Sequence, residues 1–249
     1  MNDQNKYHFQ DFTEKNYRKL LRLAKVYYQF ATFQNYRGKE KFLIWRHDVD
    51  YSVHRAKKIA EIDRSEGIQS TFFFLIHSEF YNLFEKEIVK CVLAIASMGH
   101  QIGLHFDANF YINLTEENLK KYLLYERKLL EGLIAQKISV FSFHNPTKMV
   151  LKMEKANYQG LINVYSSFFK KNVFYVSDSN GYWRFQRLED VIASDKPAKV
   201  QVLTHSEWWQ EKVMSPFERI KRCIKGRADK NLAHYLATLK KFKRANIDW

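Results

Sequence analysis

The chain has 249 residues, of which 46% are hydrophobic and 16% aromatic, enough to bury the core of one large α/β domain or of two small ones. Only 8 glycines and 3 prolines are present, which excludes collagen-like repeats and argues against long disordered linkers. The formal net charge of +14 would attract nucleic acid, anionic lipid or phosphorylated substrates alike, so the charge alone does not choose a partner.

The cysteines and the N-terminal sequence indicate a compartment. Cys91 and Cys223 each stand alone in a segment of helical pattern, which favours a reducing environment over a disulfide framework. The first residues, MNDQNKYHFQDF, lack the apolar centre of a signal peptide, and no run approaches 18 apolar residues. We therefore predict a soluble, cytoplasmic protein.

Helices and strands alternate along the predicted chain. The first part contains a helix over 13–31, a strand over 42–47, a helix over 52–67, a strand over 70–76, a helix over 81–98, a strand over 101–106, a helix over 115–134 and a strand over 139–146. The second part contains strands over 161–166, 173–178 and 199–206, a short helix over 187–193 and a basic helix over about 215–244. This alternation of apolar strands with helices is typical of a parallel α/β sheet covered on both faces. No linker or repeat interrupts the pattern, which predicts one domain over residues 1–249 with its core at about 42–209.

Ionisable side chains occur where the predicted strands end. Asp48, His105, His144 and His205 each lie at the end of a strand, and Asp178 follows another strand in the same way. The carboxyl ends of the strands form the face on which the active sites of parallel α/β proteins assemble. We therefore expect these side chains to meet, and we infer an enzyme.

The segment RHDVD places two carboxylates one residue apart. Residues i and i+2 of a strand share a face, so Asp48 and Asp50 point to one side and His47 points to the other, where a packed structural role is expected. Two neighbouring carboxylates repel each other unless a positive charge lies between them. The pattern indicates a cation, although Asp50 could instead cap the helix that begins near Ser52.

Six motifs follow one another in the order RHDVD, STFFF, GHQIGLHFD, FSFHNP, YVSDSNGYWR and VLTHSEWW. Together they resemble the polysaccharide deacetylase (NodB-homology) family, and most closely its cytoplasmic branch in bacterial surface-glycan biosynthesis. The resemblance covers roughly residues 42–209. It implies a distorted (β/α) barrel of about seven parallel strands with extra N- and C-terminal helices, a divalent metal at the carboxyl ends of the strands, and hydrolysis of N-acetyl or O-acetyl groups on sugars.

The first and last motifs carry the catalytic groups that this resemblance implies. Asp48 would be the general base and Asp50 a metal ligand. His205, in Leu-Thr-His, would be the general acid, and Asp178 would orient it.

The second motif departs from the family pattern. The family supplies two histidines four residues apart, and here His105 matches the first while Asn109 occupies the second position. A catalytic zinc site usually has three protein ligands and one open position. We expect His144 to be the third ligand, with Asp107 and Asn109 as the alternatives. The expected metal is zinc, with cobalt, nickel or manganese as further candidates.

Further residues near these motifs are candidates for binding the substrate. Trp208 and Trp209 could stack on a sugar ring or belong to the core. Asn145 and Arg184 are polar candidates at the same end of the predicted strands. Either Arg184 or Arg46 could replace the arginine that positions the base in the family.

We therefore predict a metal-dependent hydrolase that deacetylates a sugar precursor of a surface polysaccharide, linked to a nucleotide or a lipid. The basic C-terminal region could attract the diphosphate of that substrate or contact an anionic membrane. The missing histidine at Asn109 motivates an alternative, a catalytically degenerate barrel that binds a glycan or a glycan-synthesis partner. Nucleic acid is not expected as a partner, because only the charge favours it and no zinc finger, glycine-rich loop or RNA-binding signature is present.

Overall fold

The computed structural model describes residues 3–183 and 185–247, in which a sheet of nine strands is covered by helices. The helices are α1 (Asp3–Lys6), α2 (Glu14–Tyr27), α3 (Val53–Ser65), α4 (Lys86–Ser97), α5 (Glu116–Ile134), α6 (Ser167–Asn172), α7 (Leu188–Ser194) and α8 (Pro216–Lys241). The strands are β1 (Gln29–Ala31), β2 (Phe42–Val49), β3 (Thr71–Leu75), β4 (Gln101–Asp107), β5 (Val140–His144), β6 (Asn157–Tyr158), β7 (Leu161–Asn163), β8 (Phe174–Ser177) and β9 (Lys199–His205).

The strands form a curled, open sheet in the order β6-β7-β5-β4-β3-β2-β9-β8, and β1 pairs with the first half of β2. Every pairing is parallel except the short antiparallel pair of β6 and β7. In the described part of the chain no pairing joins β6 to β8, so the sheet is a half-barrel. The predicted α/β class is confirmed. The predicted number of seven strands is approximate, because the sequence pattern does not predict β1 and β6.

The predicted helix over 13–31 is too long. The side chain of Thr13 accepts a hydrogen bond from the backbone of Asn16 and caps α2, which ends at Tyr27. The next residues become β1, where Gln29 is in register with Phe42. Pairing with β2 outweighs the helical spacing of the apolar residues at this point, because it satisfies the backbone and buries Ala31.

Two apolar clusters fill the two faces of the sheet. On β2, Leu43 and Trp45 point outward into the large cluster beneath the helices. Phe42 and Ile44 point inward into a smaller cluster that also contains Phe73. This inner cluster occupies the beginnings of the strands and leaves their carboxyl ends to polar side chains.

The final helix, α8, lies largely outside both clusters. Along its 26 residues, Arg219 is the buried side chain. The side chain of Ser215 accepts a hydrogen bond from the backbone of Glu218, and Pro216 takes the first position, so the helix begins at a complete capping box. No described helix is both long and apolar enough to cross a membrane.

Candidate metal centre and catalytic site

Three potential ligands come together at the carboxyl ends of β2, β4 and β5. Asp50, His105 and His144 each offer one ligand atom, and these atoms all lie within 4.8 Å of one another. Oδ1 of Asp50 lies 3.2 Å from Nε2 of His105 and 3.4 Å from Nδ1 of His144. The two ring nitrogens are 3.2 Å apart. One carboxylate and two imidazoles thus face a common point.

This set of atoms fits a divalent cation. The other nitrogen of His105, Nδ1, lies 3.3 Å from the carbonyl oxygen of Ser142, which can accept its N–H and leave the lone pair of Nε2 facing the cluster. Oδ1 of Asp50 is buried and has no hydrogen-bond partner in the described structure. Three nitrogen and oxygen ligands with one open position are the arrangement of a catalytic zinc site, and other transition metals accept the same ligands.

The electrostatics of the cluster keep Asp50 in its charged form. Burial alone would raise the pKa of Asp50, but the facing rings of His105 and His144, together with His205, hold that pKa well below its usual range. Burial would lower the pKa of His144, but the Asp50 carboxylate outweighs it and raises that pKa. Asp50 is therefore ionised at neutral pH and able to bind a metal.

Asp48 lies beside the cluster on the inner face of β2. Its Oδ2 accepts a hydrogen bond of 3.3 Å from the Ser142 hydroxyl and lies 3.7 Å from Nε2 of His105. Its Oδ1 is buried and has no hydrogen-bond partner in the described structure. One carboxylate oxygen is held in place, and the other remains able to accept a proton.

Arg46 is the arginine next to this carboxylate. It is fully buried, and its Nη2 donates to Oδ2 of Asp48 at 3.4 Å and to the hydroxyl of Tyr165 at 3.2 Å. Its guanidinium also lies over the ring of Phe73. Burial would lower the pKa of Arg46, but Asp48 and the neighbouring tyrosines raise it, so the side chain stays charged. The other candidate, Arg184, lies outside the described residues.

His205 and Asp178 form a hydrogen-bonded pair at the carboxyl ends of β9 and β8. Nδ1 of His205 is 2.6 Å from Oδ1 of Asp178, and the backbone N–H of His205 donates to Oδ2 at 2.8 Å. Burial would lower the pKa of His205, but Asp178 and Asp50 raise it to about 10. The imidazole therefore carries a proton on Nε2, which lies 3.6 Å from Oδ2 of Asp50.

The site opens into a cleft of about 770 Å³ that is lined partly by aromatic side chains. Trp208 lines this cleft, whereas Trp209 is fully buried and packs 4.8 Å from the ring of Tyr17, so Trp209 belongs to the core. Phe110 also lines the cleft and stacks on His77 at 3.7 Å. Of the two expected tryptophans, one faces the space in which a substrate could bind.

The alternative ligands line the same cleft but stand outside the cluster. Oδ1 of Asp107 accepts a hydrogen bond of 2.9 Å from the backbone of Asn109 and thereby caps a short turn. Asn145, a candidate for binding the substrate, has a left-handed φ of 40° and places its amide nitrogen 2.8 Å from Nε2 of His144. Among the His, Cys, Asp and Glu side chains of the described residues, the cluster contains His144 and not Asp107.

The sequence did not single out Glu207. This carboxyl group is fully buried, and neither of its oxygens has a hydrogen-bond partner in the described structure. Burial and the nearby Asp50 raise the pKa of Glu207 well above its usual range. Its position directly before two tryptophans is the one sequence signal that could have indicated burial.

Comparisons with known proteins yielded no family-model match and no curated relative. The fold is similar to that of a CE4 family pseudoenzyme from Bacillus anthracis, with 14% identity, a TM-score of 0.43, and coverage of 78% of this chain and 62% of that chain. It is also similar to a peptidoglycan N-acetylglucosamine deacetylase, with 17% identity, a TM-score of 0.45, and coverage of 78% and 84% respectively. A chitin deacetylase from the fungal pathogen Colletotrichum lindemuthianum shows 11% identity, a TM-score of 0.44, and coverage of 76% and 84%.

The chain thus spans less than two thirds of the length of the pseudoenzyme.

Proposed function

We propose that the chain is a metal-dependent hydrolase that removes an acetyl group from an N-acetylated or O-acetylated sugar. The observation that carries the proposal is the convergence of Asp50, His105 and His144 on one point. A proton acceptor, Asp48, and a protonated imidazole, His205, lie next to that point. A protein that only binds a glycan has no need of this acid–base pair, so the arrangement favours an enzyme over a degenerate barrel.

The residues of the site divide the reaction between them. The metal, when bound, would polarise the acetyl carbonyl and make a water molecule more acidic. Oδ1 of Asp48 takes the proton of the attacking water, while Arg46 and Ser142 hold the other oxygen of that carboxylate. His205 donates its Nε2 proton to the departing sugar nitrogen or oxygen. Asp178 stabilises the charged ring and fixes its orientation.

We propose a surface-polysaccharide precursor, linked to a nucleotide or a lipid, as the substrate, and zinc as the metal, with cobalt, nickel or manganese as alternatives. The aromatic lining of the cleft supports a sugar ligand. Trp208 lies on one side, next to Tyr51 with ring centroids 6.2 Å apart. Phe110, which is 54% exposed, lies at another part of the cleft. The exposed ring of Phe110 offers a flat apolar surface to a pyranose, whereas Trp208 is only 6% exposed.

The decisive experiment measures acetate release from acetylated sugar nucleotides together with the metal content of the protein. Asp48→Asn should lower kcat by about 10² to 10⁴ while the bound metal remains stoichiometric, because Asp48 acts on the water. Asp50→Ala should lose the metal. Asp190→Asn is the matched control, because Asp190 is an exposed carboxylate on α7.

Two results would contradict the proposal. Wild-type protein that binds no divalent ion in stoichiometric amount would remove its chemical basis. The second result is a wild-type protein that binds metal and sugar but releases no acetate. If Asp48→Asn leaves this binding unchanged, the chain is a degenerate barrel.

We propose in addition that α8 rests on an anionic lipid surface. Leu232, Tyr235 and Leu236 lie at helical spacing on one side of the helix, and Phe242 follows as its C-cap residue. Each of the four is between 44% and 59% exposed. The segment 216–244 contains ten Lys and Arg residues and two acidic residues. An exposed apolar stripe flanked by positive charge is complementary to an anionic bilayer. Two copies of this helix would instead repel each other.

Cosedimentation with vesicles tests this second proposal. The protein should bind vesicles of phosphatidylcholine and phosphatidylglycerol and not vesicles of phosphatidylcholine alone, and added salt should weaken the binding. The double variant Leu232→Ser/Leu236→Ser should bind less tightly. Val26→Ser is the control, because Val26 is 73% exposed on α2. Equal binding by all variants, or a dimer in solution that Leu232→Ser/Leu236→Ser disrupts, would overturn the proposal.

A further inference from the structure

We propose that Asn145 is a positioning residue whose side-chain amide switches His144 between the tautomer of the metal-free protein and the metal-binding tautomer, an inference that rests on the proposed metal site. The two nitrogens of the His144 ring have different surroundings. Nδ1 faces the cluster, 3.4 Å from Oδ1 of Asp50 and 3.2 Å from Nε2 of His105. Nε2 lies on the other side, 2.8 Å from the side-chain amide nitrogen of Asn145.

The orientation of that amide determines where the proton of a neutral His144 lies. A neutral imidazole has one N–H and one lone pair. With the NH₂ group of Asn145 facing Nε2, that nitrogen accepts a hydrogen bond, and the proton lies on Nδ1. The Nδ1–H then points at Asp50 and His105 and can donate a hydrogen bond to them in the absence of a cation. In this tautomer the ring offers no lone pair to a metal.

A half-turn of the amide about its last side-chain bond reverses this situation. The oxygen Oδ1 then replaces the nitrogen, with almost no change of shape, and accepts a hydrogen bond from Nε2–H. The lone pair of Nδ1 is now directed at the cluster, as a metal ligand requires. Asn145 therefore allows both tautomers of His144, and metal binding requires the one in which the amide oxygen faces the ring.

His105 provides the contrast within the same site. Its outer nitrogen lies against the backbone carbonyl of Ser142, which can only accept a hydrogen bond. That carbonyl fixes His105 in the tautomer that binds a metal. His144 instead has a partner that can either donate or accept, so its tautomer is selectable.

The backbone at residue 145 determines which substitutions test the idea cleanly. Asn145 has a φ of 40°, in the left-handed region that Asn, Asp and Gly tolerate better than other residues. Asn145→Asp keeps this conformation and supplies a group that only accepts. Asn145→Gly keeps it and supplies no group. Asn180 is a matched control, because it lines the same cleft with a φ of 58°.

The first measurement is the zinc affinity of metal-free protein, determined by competition with a chromophoric chelator. Asn145→Asp should bind zinc more tightly than wild type, since a carboxylate holds the proton on Nε2 and makes Nδ1 a better donor. Asn145→Gly should bind about 10- to 100-fold more weakly, the usual loss when such a partner is removed. Asn180→Asp should show the effect of an added charge in the cleft on zinc affinity, and Asn180→Gly should show the effect of a changed backbone. The proposal is overturned when the Asn145 variants do not differ from the Asn180 variants.

The second measurement is the ¹⁵N chemical shift of the ring nitrogens at alkaline pH, where the imidazole is neutral. Metal-free wild type should carry the proton of His144 on Nδ1, whereas metal-free Asn145→Asp should carry it on Nε2. A wild-type ring protonated on Nε2 would contradict the inference. The chemical-shift measurement needs no metal. If the wild-type protein binds no zinc, the proposed function is wrong, but the tautomer of His144 can still be measured.

Discussion

At the scale of single residues, burial determines the roles of Arg46 and Asp48. Both side chains lie on the inner face of β2 with at most 3% exposure, and Arg46 donates to Asp48 at 3.4 Å. Removing one partner of a buried ion pair leaves an uncompensated charge in the interior. This destabilises the folded state more than removing both partners does. The arginine therefore contributes to stability as well as to the orientation of the base.

A double-mutant cycle tests this coupling in metal-free protein. Arg46→Met should lower the free energy of unfolding by about 3–5 kcal/mol, because Asp48 is left without its cation. The same substitution in the Asp48→Asn background should cost less, since no buried charge remains unpaired. Urea denaturation measures both values. Equal costs in the two backgrounds would show that the two side chains are independent.

At the scale of elements, β4 passes close to its neighbours on the inner face of the sheet. Gly103 stands between β3 and β5, and an added Cβ would lie 2.4 Å from Cε1 of Phe73 and 3.1 Å from Cγ1 of Val140. A glycine at this position lets these two side chains pack directly over the backbone of β4. The ring of Phe73 occupies the space that a side chain at position 103 would need.

Gly103→Ala should therefore destabilise the protein by about 1–3 kcal/mol, the usual cost of overpacking a core. Gly132→Ala is the control, because Gly132 lies in α5 and an added Cβ would meet nothing within 4 Å. That change should stabilise the protein by about 0.5–1 kcal/mol through helix propensity. Urea denaturation of both variants checks the prediction, and a stable Gly103→Ala protein would mean that Phe73 moves aside easily.

At the scale of the whole molecule, the metal site ties together three strands of an open sheet. Asp50 follows β2, His105 lies near the end of β4 and His144 ends β5, and β3 lies between β2 and β4. A ligand that binds only the folded state stabilises it by mass action. A metal that joins these strands should therefore raise the stability of the whole domain.

Zinc at 100 times its Kd should add about 2.7 kcal/mol to the free energy of unfolding. For a chain of this size, each kcal/mol corresponds to a rise of about 2–4 °C in Tm. Calorimetry with and without zinc measures the shift, and a chelator should reverse it. Asp50→Ala should abolish the rise, and Asp190→Asn should retain it. A rise of the same size in Asp50→Ala would place the bound zinc elsewhere.

Much of the site could be predicted because strand geometry is local. Side chains alternate along a strand, and the ends of parallel strands share one edge of the sheet. These two rules are sufficient to predict that Asp48, Asp50 and His105 lie near one another. They also place His47 on the opposite face, where its ring lies 3.0 Å from the hydroxyl of Tyr17 in the core. The sequence therefore determined the order of the elements and the side of the sheet that carries the chemistry.

The tertiary structure decided the features that depend on neighbours distant in sequence. Trp208 and Trp209 are adjacent, yet one lines the cleft and the other packs against Tyr17 in the core. Pairing with β2 turned the end of a predicted helix into β1. The side of the His144 ring that faces Asp50 depends on how β5 lies beside β4. Local periodicity carries no information about such contacts, because they form between segments that meet only when the sheet folds.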